Sequence, residues 1–145
     1  MSIAAFVATV GAGLFAGAST YVSVAEHPAW LESGPAISIK GLGPGFRRAA
    51  ALQGGLATVS MMSAAVAWFQ GSGICWLAGG LMLGALVPFT LLIIMPTNRR
   101  LLDPALDPAS REAVDLLLRW GRLHAVRTLV GVAVFLCFVC TLVWP

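Results

Sequence analysis

Hydrophobic positions in this chain form long stretches free of charge, not the short alternations or helical stripes of a water-soluble domain. Residues 3–25, 49–70, 74–95 and about 123–144 each read this way. Each is close to the roughly 20 residues that a helix needs to cross the hydrocarbon core. The nine Lys and Arg and the six Asp and Glu are confined to two blocks, 26–48 and 99–127, and His27 and His124 lie in the same blocks. The pattern predicts an all-α, integral membrane four-helix bundle, a single domain over 1–145. An amphipathic extension of the fourth helix is expected over about 108–122, with Val114, Leu117 and Leu118 on its apolar face. No Lys or Arg precedes the first apolar run, and the run outlasts a signal-peptide core, so it is expected to be a permanent span.

Composition agrees. With 59% hydrophobic residues against 10% charged and a mean hydropathy of +0.89, a soluble fold would lack the charge to cover its surface. The sidedness follows from where the basic residues fall. Lys40, Arg47 and Arg48 lie between the first two spans; Arg99, Arg100, Arg111, Arg119 and Arg122 lie between the last two. The turn at 71–73 and both ends have none. The positive-inside rule puts loops 26–48 and 96–122 in the cytoplasm and both termini on the non-cytoplasmic side, as in a bacterial inner (plasma) membrane. The net charge of +3 then means contact with the lipid bilayer and excludes nucleic acid as the partner it implies. Trp68, Trp76 and Trp144 at the outer ends, with Trp30 and Trp120 at the inner boundary, are expected to form two aromatic belts.

Helix breakers supply the finer expectations. Gly13-x-x-x-Gly17 and Gly80-x-x-x-Gly84 suit close helix packing, as do Gly54 and Gly55. Pro88 should kink the third span, Pro28 should end the first helix at His27, and Pro96-Thr97-Asn98 should close the third. Asp107 followed by Pro108 reads as a cap opening a helix over 109–143. Residues 31–46, rich in Gly and Pro, are expected to be irregular and are a candidate lid.

The residues that can carry chemistry gather at one level. Trp120-x-x-x-His124-x-x-Arg127 puts three side chains on one stripe of the fourth helix. Counted from Gly121, His124 lies roughly 5 Å and Arg127 roughly 9 Å below the water boundary. A charge at that depth faces the bundle interior or snorkels to the surface. Glu26-His27 at the inner end of the first span and Asn98 at that of the third meet the stripe at the same level. The bland alternative is an interfacial network of caps. His27, His124 and Glu26 would suit a metal, but no local spacing motif supports one. Cys137-x-x-Cys140 and Cys75 suggest thiol redox chemistry, though the second cysteine pair such enzymes use is missing, so packing is the better reading. A non-enzymatic accessory subunit or a lipid or quinone binder stays open beside an enzyme.

Three ordered motifs carry a family resemblance: Tyr21-Val22-Ser23-Val24-Ala25-Glu26-His27-Pro28, then Pro96-Thr97-Asn98-Arg99-Arg100-Leu101, then Trp120-x-x-x-His124-x-x-Arg127. Over its whole length the chain resembles the anthrone oxygenase-like family of small four-helix membrane proteins. The resemblance implies a monooxygenase that oxidises an anthrone, a hydrophobic aromatic polyketide, to a quinone. Molecular oxygen is the co-substrate, and no flavin or haem takes part. On that reading His27 or His124 is the base, Asn98 and Arg127 stabilise the oxyanion, and Trp120, with Glu26 and Tyr21, binds the flat substrate.

Overall fold

The computed structural model describes residues 2–144, the side chain of residue 44 excepted. The helices are α1 (Ile3–Tyr21), α2 (His27–Ser33), α3 (Pro35–Phe69), α4 (Ile74–Phe89), α5 (Met95–Leu101) and α6 (Arg111–Val143). π-helical turns over Val22–Glu26 and Thr90–Ile94 join α1 to α2 and α4 to α5. The result is four rods, Ile3–Ser33, Gly45–Phe69, Ile74–Leu101 and Arg111–Val143, each long and apolar enough to cross a membrane. The protein is an all-α, multi-pass membrane protein, as the hydrophobic pattern predicts. Helix α1 packs on α3, α3 on α4, α4 on α6 and α6 on α1, a closed ring whose diagonals barely touch.

Three expected helix ends are corrected. The first rod does not stop at His27; it runs through Pro28 to Ser33 and ends at Gly34, whose φ of 83° is the left-handed conformation that glycine tolerates. The third does not close at Asn98 but continues to Leu101. In both cases a wide turn sits just ahead of the proline: the His27 N–H reaches back to Val22 O, and the Met95 N–H to Thr90 O. These turns let the rod pass a residue that lacks an N–H and whose ring crowds the turn before it. Within a bilayer the alternative, backbone groups left without partners, is far less favourable. The expected cap at Asp107 lies three residues early. Asp107 instead accepts from the Ala109 N–H in a turn, and the Ser110 hydroxyl caps α6 by accepting from the Ala113 N–H.

Residues 31–46 are not irregular either. Apart from the break at Gly34 they are helical. The Ser38 hydroxyl ties the two helices together through Trp30 O and Gly34 O, at 2.5 and 2.9 Å. Leu42, 2% exposed, packs with Ile94, Leu101, Leu117 and Trp120. That packing offsets a helix penalty of about 1 kcal/mol for each glycine.

The bundle has two apolar cores. Ala8, Ala12, Phe15, Ala64, Trp76, Leu83 and Phe138 form the one towards the chain ends; Leu42, Ile94, Leu101, Leu117 and Trp120 form the other. Helices α3 and α4 approach closely because Gly80 has no Cβ; one there would sit 2.9 Å from Ala64 Cβ. Gly54, Gly55 and Gly17 have nothing within 4 Å and do not pack in this way. The tryptophans are not two belts: Trp76 and Trp120 are buried, and Trp76 stacks on Phe138 at 4.7 Å. Arg100 bonds Asp103 and Glu112, at 2.9 and 2.7 Å, and so ties α5 to the start of α6. The Ala105 N–H, and after it Arg100, hold the Asp103 carboxyl below the usual carboxylate range. This tether is present above the ordinary carboxylate pKa and lost as pH falls through the lowered one.

Candidate functional site

Between the two cores lies a layer of buried polar side chains, Ser19, Gln53, His124 and Arg127. A cavity of about 390 Å³ opens beside it, within the range of small-molecule sites. Its wall takes Tyr21 and Glu26 from the first rod, Phe46 and Gln53 from α3, Asn98 from α5, and Trp120, His124 and Arg127 from α6. Six of the seven residues singled out from sequence therefore share one cavity wall; His27 is the exception. Trp120 forms an aromatic face: it stacks on His124 at 4.8 Å and 20°, with Phe46 and Trp30 at 5.4 and 5.2 Å. The i, i+4 spacing of Trp120 and His124 makes that stack.

His124 is 3% exposed. Its Nδ1 lies 3.0 Å from Ser23 Oγ, which lies 2.8 Å from Thr128 Oγ1. The Thr128 hydroxyl donates to the carbonyl oxygens of Ser19 and His124, at 3.1 and 3.3 Å. Among the described residues no protein group bonds the other ring nitrogen, Nε2.

Arg127 is 8% exposed, one turn deeper than His124. Its Nη2 donates to Gln53 Oε1 at 2.6 Å, and its Cζ stands 5.6 Å from the centre of the Phe15 ring. Its Nε has no partner, and no carboxylate pairs with it among the described residues. Asn98 Oδ1 and Trp120 Nε1 are also buried without partners. Buried donors and acceptors are rarely left unpaired, and a buried guanidinium without a counter-charge is rarer still. Arg127 also borders a second, apolar cavity of about 90 Å³ between α3 and α4.

His27 is placed differently. Its Nε2 donates to Leu117 O at 2.9 Å, and its ring lies against Gly121 and beside Trp120, off the cavity wall. Helix α6 has no side chain at Gly121, and a Cβ there would overlap the imidazole. Gly121→Ala is therefore expected to lower the thermal midpoint in detergent, although alanine is about 1 kcal/mol the better helix former. Overpacking of this kind costs about 1–3 kcal/mol. Adding His27→Ala should recover most of the loss; a double mutant no more stable than Gly121→Ala alone would show that the ring is not what glycine accommodates.

Among the described residues no three His, Cys, Asp or Glu side chains gather in a way that could hold a metal ion. Cys75, Cys137 and Cys140 are free and exposed, at the far end of the rods from the cavity. Gln53, Ser23 and Thr128 are polar partners that a reading by charge and histidine passes over.

Comparison with known proteins follows the same outline. Residues 44–137, well over half of the chain, match the family model described as anthrone oxygenase. That segment holds Gln53, Asn98, Trp120, His124 and Arg127. A curated relative, Anthrone oxygenase tpcL of Aspergillus fumigatus, is 40% identical over 62 residues, which is 41% of this chain and 38% of that protein. The match thus covers well under half of that relative's length. No solved structure matches.

Proposed function

From a chain that belongs to the anthrone oxygenase family, we propose a membrane oxygenase whose cavity oxidises a planar phenolic substrate of the anthrone type to a quinone, with molecular oxygen and no further cofactor. The observation that carries this reading is the pairing on one cavity wall of a buried imidazole with a free Nε2 and a buried guanidinium without a carboxylate.

The chemistry fits those two groups. His124 Nε2 removes one proton from the doubly benzylic methylene, leaving an anion spread over the rings and their oxygen. Arg127, with Asn98, steadies the negative charge as it gathers on oxygen. The anion is electron-rich enough to reduce dioxygen directly, forming a C–O bond to a peroxide that takes back the proton from the imidazolium. Loss of the second methylene proton breaks the O–O bond. One oxygen atom stays as the new carbonyl and the other leaves as water, so the four electrons lost by the methylene match the four gained by dioxygen. Trp120 and Phe46 offer flat faces for the rings, with Tyr21 and Glu26 at the rim. His27, bonded to a helix carbonyl and off the wall, has no part in these steps.

Membranes bearing the protein, supplied with emodin anthrone, should form quinone faster than membranes without it. Equal rates would end this reading for that substrate, and saturable binding without turnover would favour a lipid or quinone binder.

We also propose that the cavity opens towards the cytoplasm of a bacterial inner membrane, because Lys40, Arg47, Arg48, Arg99 and Arg100 lie at that end. A reporter active only outside the cytoplasm should work when fused at the C-terminus; activity of a cytoplasm-only reporter at that position would reverse the orientation.

A further inference from the structure

The two histidines stand in opposite hydrogen-bonding situations, and one direction of the hydroxyl chain behind His124 satisfies the most contacts. A carbonyl oxygen can only accept. Thr128 has a single hydroxyl proton, and both carbonyls beside it, Ser19 O and His124 O, require it as donor. Thr128 Oγ1 must then accept from Ser23, 2.8 Å away. That contact uses the single proton of Ser23, so Ser23 Oγ can only accept from His124 Nδ1 at 3.0 Å. With all of these contacts made, the neutral imidazole carries its proton on Nδ1. Reversing the chain would leave the carbonyl contacts of Thr128 without a donor.

We propose that Ser23 and Thr128 are positioning residues that lock His124 as the Nδ1–H tautomer, with the Nε2 lone pair towards the cavity. In free histidine the Nε2–H form is the commoner, so the resting state is a property of this fold. Helix packing supplies the parts. Thr128 lies one turn beyond His124 on the same stripe of α6, and Ser23 sits in the π-helical turn of the first rod. When Nε2 takes a proton, the Nδ1–H of the imidazolium already has an acceptor, and the chain ends on a backbone carbonyl dipole that favours the positive charge. A neutral relay thus does the orienting that a carboxylate does in hydrolytic triads. His27 is the internal contrast: its Nε2 donates to Leu117 O, which makes it the opposite tautomer.

The catalytic value of the relay rests on the oxygenase reading, but the tautomer does not, and the test separates the two. The chain has only two histidines. Protein labelled with ¹⁵N-histidine, in lipid nanodiscs at a pH where both rings are neutral, should show one Nε2–H and one Nδ1–H ring. His27→Gln should remove the Nε2–H signals and leave the Nδ1–H set. Ser23→Ala should move His124 to the Nε2–H form, Thr128→Val should give a mixture, and Thr128→Ser should restore the wild-type pattern. In turnover, Ser23→Ala should lower kcat by on the order of tenfold to a hundredfold with KM little changed. Two Nε2–H rings in the wild type, or an unmoved tautomer in Ser23→Ala, would overturn the proposal. The expected tautomers in a protein without turnover would uphold the relay and end the oxygenase reading alone.

Discussion

Replacing His124 by glutamine is expected to lower anthrone oxidation by two to four orders of magnitude, to the rate of membranes without the protein. A positioned general base contributes about 10²–10⁴-fold, and on the cavity wall no second imidazole stands ready. Glutamine fills similar space beside Trp120 and can still hydrogen-bond Ser23, so the fold should survive and the thermal midpoint should shift little. His27→Gln supplies the contrast. Its amide can still donate to Leu117 O, and quinone formation should stay within a few-fold of wild type. Measured together, the two variants separate the histidines that sequence alone leaves equivalent. A large loss in His27→Gln with activity kept in His124→Gln would move the base to the other ring.

Arg127→Met should separate activity from stability. The rate should fall by about 10²–10³-fold, the usual cost of removing a donor that steadies a developing oxyanion. Stability should hold or rise. Arg127 has no carboxylate partner, and one of its nitrogens is buried and unbonded. A buried charge exchanged for an apolar side chain of similar length is often neutral or stabilising. The one bond lost, to Gln53, leaves an amide that can turn towards the cavity. Rates in membranes and thermal midpoints in detergent check both halves. A sharply lowered midpoint together with the lost rate would mean that Arg127 is a structural residue and no evidence for an anion.

How far the sequence reaches can be followed residue by residue. The four rods are legible because a span must exclude charge over about 20 positions, and that constraint acts on every residue of the stretch. Trp120, His124 and Arg127 are legible as a set because offsets of four and three share a helix face whatever surrounds them. Helix ends are less so. Pro28 and Pro96 read as stops by the rules of soluble helices, yet each follows a π-helical turn that carries the rod onward. His27 and His124 look alike in sequence because each stands at the edge of an apolar span; Gly121, whose missing side chain makes room for the His27 ring on α6, tells them apart in the structure. Gln53, Ser23 and Thr128 escape a filter for ionisable groups. Gln53 alone carried a usable signal, as an amide inside an otherwise apolar span. The two hydroxyls gain meaning only when the first rod and α6 are brought together.

Dioxygen uptake is the measurement closest to the central claim, that His124 and Arg127 form the working wall of an oxygenase. Proteoliposomes holding wild type, His124→Gln or His27→Gln would be given emodin anthrone, with oxygen consumption and quinone formation followed at once. Wild type and His27→Gln should consume oxygen mole for mole with quinone, well above protein-free liposomes, and His124→Gln should match the protein-free rate. Uptake at the protein-free rate in all three, or equal uptake with and without His124, would contradict it.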